Sequence, residues 1–306
     1  MNYSSQGPMN RRSFFYLAAA GTSALAIPSR TLFGADAPAP RRPIVVFSKA
    51  FQQLSPQATA DLVAEVGWDG IECPIRKGGQ VTPEKIEEDL PKLLEALRRV
   101  GKDIYIATTD VREVNPLNEK VLRVLKRAGV QRFRMAYYRY DMQRPIAEQL
   151  AEIKPRFREL AALCREIGIQ AGYQNHSGGG YVGGPLWDLH LLMEGIDAKV
   201  MGVHFDIGHA TVEGGTSWPV QAKLLEFRFH AVYVKDFFWA KQNNNTWRPQ
   251  WCALGEGMIS RAFFSQLKAS AFAGPISMHF EYPMGNQQEM MAQFKASLAR
   301  LKEWLA

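Results

Sequence analysis

The sequence predicts a single α/β domain folded as a (β/α)8 TIM barrel. From Arg42 onward, eight short apolar runs alternate with eight helical patterns. Polar and ionisable residues concentrate just after those runs, where such barrels build their sites. A doubly wound dinucleotide-binding sheet would instead carry Gly-x-Gly-x-x-Gly after the first run, and Phe47-Ser48-Lys49-Ala50 stands there.

The strand-like runs are Ile44–Phe47, Gly70–Cys73, Ile104–Thr108, Arg132–Ala136, Ile169–Tyr173, Val200–Phe205, Ala231–Val234 and Ile276–Phe280. Several are rich in Val, Ile, Phe or Tyr, side chains that suit a pleated, buried surface. The helices between them carry start and stop signals. Ser55-Pro56, Thr82-Pro83 and Asn115-Pro116 each place a capping residue before a first-turn proline. Gly101, Gly129 and Gly168 stand where three of the helical patterns end. Pro155, inside Ala147–Ile167, predicts a kink or a restart. Pro185–Gly195, Pro219–Phe227, Arg261–Ala271 and Gln287–Trp304 complete the set.

The chain has 306 residues, 46% hydrophobic and 22% charged, as an ordinary globular protein with ample core material would. Residues 9–26 place Arg11-Arg12 before a short, alanine-rich apolar run. That order predicts a twin-arginine-type export signal over residues 1–37, linker included, and a periplasmic barrel over residues 38–306. The run is too short to span a bilayer, so no membrane span is expected in the mature protein. Removing residues 1–37 lowers the net charge from +7 to +5, spread without runs, which argues against nucleic acid as a partner. Cys73, Cys164 and Cys252 are too few and too scattered for a disulfide framework.

The strand ends supply the candidate site. They offer Ser48 and Lys49, then Glu72, then Thr108 to Asp110, then Tyr137 and Arg139 in the first half. The second half offers Gln174 to His176, Asp206 and His209, Lys235 and Asp236, and Glu281. Carboxylates and imidazoles gathered at one layer suit proton transfer, hydroxyl recognition or metal binding. Glu72 reads as a pocket carboxylate or as a strand-end group bonded to its neighbours. Lys235-Asp236 reads as a ligand contact or an internal ion pair. Phe237, Phe238, Trp239, Trp247 and Trp251 read as packing under a long loop or as a stacking wall for a sugar ring. His204 and His230, within or before strands, read as structural.

From about Pro43 to the C-terminus the chain resembles the sugar phosphate isomerase/epimerase superfamily, the xylose-isomerase-like barrels. Gly67-Trp68-Asp69-Gly70-Ile71-Glu72, Tyr173-Gln174-Asn175-His176 and His204-Phe205-Asp206-Ile207-Gly208-His209 carry the resemblance, followed by Val234-Lys235-Asp236, Leu254-Gly255-Glu256-Gly257 and His279-Phe280-Glu281. The resemblance implies a divalent metal (Mn, Mg, Co or Zn) held by a strand-five Glu, a strand-six Asp, a strand-seven His and a strand-eight Glu. It further implies that the metal polarises a carbonyl while the glutamates move protons. Asp206 and Glu281 match, and His209 matches the residue that grips substrate. Gln174 stands in place of the strand-five Glu, and Tyr233 in place of the strand-seven His.

The expected function is therefore an isomerase or epimerase acting on a sugar or keto sugar by proton abstraction next to a carbonyl. Glu281, His209 and Lys235 are the catalytic candidates. Glu72, His176, Asp236 and Trp239 are the substrate contacts, and Asp206, Glu281, Gln174 and His176 are the candidate metal ligands. A non-catalytic or metal-independent sugar-binding barrel stays open, as does a keto-glycoside lyase or hydrolase with one base. The expected partner is a small sugar, with a homo-oligomer left open. A metal-dependent endonuclease is disfavoured by only six histidines and no basic stripe.

Overall fold

The structure is a computed structural model that describes residues 42–306. The expected export segment, residues 1–37, lies outside the described residues. Eight parallel strands close into a barrel: β1 (Ile44–Phe47), β2 (Gly70–Ile75), β3 (Asp103–Thr109), β4 (Arg132–Arg134), β5 (Gln170–Gln174), β6 (Met201–Asp206), β7 (Phe229–Val234) and β10 (Ile276–Met278). Neighbours in sequence are neighbours in space, and β10 closes the ring between β7 and β1. All eight apolar runs are thus strands of the expected barrel. An antiparallel hairpin, β8 (Asp236–Lys241) and β9 (Trp247–Cys252), follows β7 directly.

Helices α1 (Pro56–Val66), α2 (Ile86–Arg99), α3 (Pro116–Arg127), α4 (Ile146–Ile167) and α5 (Trp187–Met193) connect the first six strands. The second half adds α6 (Ile207–Gly214), α7 (Trp218–Leu225), α8 (Arg261–Ala269) and α9 (Gln287–Leu305). Ser55 caps α1 by accepting from Ala58 N, and Asn115 caps α3 from Asn118 N, as the Ser-Pro and Asn-Pro signals require. Thr82 makes no side-chain cap; a short 3-10 turn, Pro83–Lys85, leads into α2 instead. Helix α4 runs unbroken through Pro155, so this proline does not restart it.

Outward strand side chains and the inner helix faces bury Trp68, Phe133, Phe157, Phe205, Phe264 and Phe294 almost completely. Each such ring removed from water contributes roughly 1.5–3 kcal/mol. The barrel interior is different. Glu72, Arg134, Gln174, His204, Tyr233 and His279 are all buried there and bonded to one another. Most of the fold's apolar stabilisation lies outside the barrel wall, with only the small cluster of Ile106, Ala231 and Tyr233 inside, which leaves much of the interior to polar chemistry.

Gly172 in β5 makes room for that interior. A Cβ there would lie 2.0 Å from Nε2 and 2.1 Å from Cδ2 of His204. The His204 ring is fixed by a 2.7 Å hydrogen bond between Nδ1 and the Tyr233 hydroxyl, so it cannot step aside cheaply. Gly172→Ala should therefore destabilise the fold by about 1–3 kcal/mol in urea titrations. Adding His204→Ala should restore part of that loss. An unchanged midpoint in the single variant would contradict this account of the interior.

Candidate active site

The open end of the barrel holds two adjacent spaces. An outer cleft of about 490 Å³ is lined by His176, His209, Trp239, Pro249, Trp251 and Glu281 among others. A small inner cavity of about 100 Å³ lies among Lys49, Arg76, Arg134, Tyr137, Lys235 and Glu281. Glu281 and His176 border both.

Lys235 is the hub. It follows β7, is 3% exposed, and extends its ammonium to Glu281 Oε2 at 2.7 Å and to Asp206 Oδ2 at 3.5 Å. The Trp251 ring covers it, with Nζ 4.5 Å from the ring centroid, a distance at which a cation is attracted to an aromatic face. Gly208 permits this arrangement, since a Cβ there would meet the Lys235 carbonyl at 2.7 Å. Lys49 holds the other Glu281 oxygen at 3.0 Å. Burial opposes charge on Glu281, but Lys235, His279 and Lys49 outweigh it and hold the carboxyl well below the usual range.

Asp206 ends β6 and caps α6: Oδ1 accepts from His209 N at 2.9 Å. Its Oδ2 accepts from Gln174 Nε2 at 2.8 Å. The Gln174 Oε1 accepts from both Arg134 and the Tyr137 hydroxyl. The amide orientation of Gln174 is thereby forced, because a flip would set its NH2 against two donors.

The two pocket histidines lie against each other, tilted by 37°, with centroids 3.9 Å apart. His209 Nδ1 shares a 2.7 Å hydrogen bond with the Ser177 hydroxyl, and its Nε2, 3.7 Å from Asp206 Oδ2, has no hydrogen-bonding partner. His176 Nδ1 faces the Ser177 carbonyl at 2.8 Å; a carbonyl only accepts, so Nδ1 carries the proton and Nε2 is left as an acceptor. Burial, with Lys235 nearby, lowers the His176 pKa to about 4 and drives His209 well below its ordinary value. Both rings are neutral near pH 7.

Beneath this layer Glu72 is wholly buried. Its Oε2 accepts from Ser277 Oγ at 2.7 Å and from His279 Nε2 at 2.9 Å, and its Oε1 accepts from Thr108. Burial opposes its ionisation, yet His279 and Arg134 hold the carboxyl far below the normal range. Glu72 borders neither space, which corrects its expected role as a substrate contact: it anchors the floor. Asp236 is corrected as well. Its Oδ2 accepts from Gly255 N at 2.9 Å and Gly257 N at 3.1 Å, and its Oδ1 from Ile259 N at 3.1 Å. It pins the loop after β9 and lines neither space.

The aromatic segment is a hairpin rather than a long loop. Phe237 pairs with Trp251 and Trp239 with Pro249, so these four share one face. Trp239, Pro249 and Trp251 of that face border the outer cleft.

A comparison with family models matches residues 60–304 to the family described as xylose isomerase-like TIM barrel. The chain belongs to that family. Comparison with curated proteins gives no match. Among solved structures, this family member is similar to the apo 3-keto-D-glucoside 4-epimerase from E. coli, at 15% identity and a TM-score of 0.64 over 86% of this chain and all of that one. D-psicose 3-epimerase with D-tagatose from Clostridium cellulolyticum H10 gives 12%, 0.66, 86% and 99% for the same measures. A xylose isomerase domain protein from Alicyclobacillus acidocaldarius gives 17%, 0.67, 86% and 98%.

The xylose isomerase-like resemblance implies a four-ligand divalent metal, and the residues here do not fit one. Among the described residues no group of three or more His, Cys, Asp or Glu is disposed around a common ion position. Both Asp206 oxygens are used, Gln174 turns its NH2 toward Asp206, and an ammonium stands between Asp206 and Glu281. The Tyr233 hydroxyl is bonded to His204, and burial raises its pKa well above 10. The set Asp206, Glu281, Gln174 and His176 is therefore corrected as a metal cage: Lys235 supplies the positive charge at its centre.

Arg134 and Arg76 were not among the sequence-derived site residues, whereas Tyr137 was one of the strand-end candidates. The signal for Arg134 was present: Arg132-Phe133-Arg134 alternates on a strand, which puts both arginines on one face. Four histidines, His176, His204, His209 and His230, are shifted down by burial. They stay neutral in the folded state while the unfolded chain takes protons below its ordinary pKa near 6.5. Stability should therefore fall as the pH drops from 7 to 5, by on the order of 2 kcal/mol per histidine that stays neutral, before most carboxylates titrate. Urea unfolding at the two pH values checks this, and equal midpoints would contradict it.

Proposed function

We propose that this protein is a sugar isomerase or epimerase-type enzyme that moves a proton on a carbon next to a carbonyl, with Lys235 in the electrophilic role. The observation that carries this reading is the Lys235–Glu281 contact at 2.7 Å, on the border of the inner cavity and beside the outer cleft. An ammonium paired with a carboxylate at the mouth of a cleft offers an acid and a base within reach of adjacent carbons.

In this reading the sugar stacks on Trp239 and Trp251, and its hydroxyls bond the Nε2 atoms of His176 and His209. The carbonyl oxygen takes a hydrogen bond from Lys235 Nζ and draws the ammonium off Glu281. That loss of a cationic neighbour raises the basicity of Glu281, which accepts the proton from the adjacent carbon. The charge that develops on oxygen faces Lys235, a donor already oriented and dry. Lys235 passes a proton to that oxygen to give the enediol. As Glu281 returns its proton to the former carbonyl carbon, the adjacent hydroxyl gives its proton back to the Lys235 amine and becomes the new carbonyl. The neighbouring folds named for sugar epimerases support the substrate class. The twin-arginine-type segment supports an exported setting for the activity.

The double lysine clamp on Glu281 favours a second reading, a sugar-binding barrel without turnover, because a carboxylate so stabilised is a weak base. Solvent exchange separates the two. In heavy water, on a panel of keto sugars, the enzyme reading predicts deuterium entering the carbon beside the carbonyl. Glu281→Gln and Lys235→Met should each slow that exchange by about 10²–10⁴-fold. Sugar binding without any exchange across the panel would support the binding reading and overturn the enzymatic one.

A further inference from the structure

Two guanidinium groups in the inner cavity are not accounted for by the chemistry above. Arg76, directly after β2, lies over the Phe47 ring at 5.7 Å, and Arg134 lies over the same ring at 5.2 Å. Among the described residues the guanidinium of the half-buried Arg76 has no hydrogen-bonding partner and no carboxylate within ion-pair distance. Asp110 acts on it electrostatically, but its Oδ2 accepts from Lys77 N at 2.8 Å. Arg134 is 5% exposed, spends one NH2 on Gln174, keeps Glu72 only at 3.9 Å, and has a buried Nε without a partner. Lys49 and Lys235 are both engaged by Glu281. The cavity therefore presents four cationic side chains against one lining carboxylate, and two of those cations carry unused donors.

Like charges held together with unsatisfied donors are costly unless an anion joins them. A guanidinium fork is shaped for the planar or tetrahedral oxygens of carboxylate or phosphate. At about 100 Å³ the space admits one such group and the carbon that bears it, not a sugar ring. The aromatic outer cleft is the place for the remaining carbons.

We propose that the inner cavity is an anion subsite, in which Arg76 and Arg134 hold a carboxylate or phosphate group carried by the sugar. The substrate class is then an acidic sugar derivative rather than a neutral one. This deepens the sugar reading above and rests on it for everything except the anion itself.

Small anions test the subsite independently of the sugar. At constant ionic strength, glycolate and inorganic phosphate should raise the melting temperature of the full chain, whereas ethylene glycol should not. By calorimetry D-gluconate should bind at least about tenfold more tightly than the neutral hexitol sorbitol, and Arg76→Gln should remove that preference. Arg76→Lys, which keeps the charge but loses the fork, should retain part of it. Unfolding midpoints of both variants in buffer establish that they fold. Stronger stabilisation by phosphate than by glycolate would assign the group to a sugar phosphate, and the reverse order to a sugar acid. No stabilisation by either anion, or an unaltered response in Arg76→Gln, overturns the inference. If the small anions stabilise through Arg76 while no sugar derivative binds, the anion subsite stands and the sugar reading fails.

Discussion

The site depends on one buried ammonium. Lys235 lies at the mouth of the barrel between Asp206 and Glu281, with Trp251 over it and Gly208 leaving room beside it. A buried cation is tolerable only when carboxylates and a polarisable surface surround it, and each of these comes from a different element. Asp206 closes β6 and caps α6, Glu281 follows β10, and Trp251 comes from the hairpin that β7 leads into. The position of one side chain thus ties together the strand ends and the hairpin that form the cleft.

Below it the polar interior forms a second, deeper layer. Thr108, Ser277 and His279 satisfy Glu72, and Arg134 connects that layer to Gln174 and so to Asp206. A hydrogen-bonded network in a dry interior is stiff, because breaking a member strands another charge or donor. The unpaired groups are correspondingly informative. Of the buried atoms without a hydrogen-bonding partner, His209 Nε2 and Arg134 Nε belong to residues that line the two spaces where a ligand would enter.

The barrel was legible because its strands are buried on both faces and its helices carry capping signals, at Ser55 and Asn115 above all. Two elements were not. Helix α6 contains Gly208 and ends at Gly214, so it has no apolar periodicity to announce it; it forms because Asp206 caps it directly from the strand. The hairpin was read as packing under a long loop or as a stacking wall, and Pro249 interrupts its second strand. Pro249 faces Trp239 on an edge, where its missing N–H costs little, and Asn245 takes the left-handed turn conformation. At the site, Asp206, His209, Lys235, Trp239 and Glu281 were all legible as strand-end chemistry. Glu72 and Asp236 were misread because sequence spacing gives a residue's layer but not the partners that absorb its charge. Gln174 and Tyr233 were visible as departures from the metal-binding pattern. That Lys235 stands where the implied ion's charge would be is a fact of side-chain reach, which no spacing encodes.

The central claim is that this ammonium, and not a divalent ion, occupies the position between Asp206 and Glu281. Titration of chelator-treated protein with Mn²⁺, followed by electron paramagnetic resonance, tests it most directly. The account predicts no stoichiometric site in the micromolar range. One tightly bound equivalent of Mn²⁺, lost in Asp206→Asn, would contradict it.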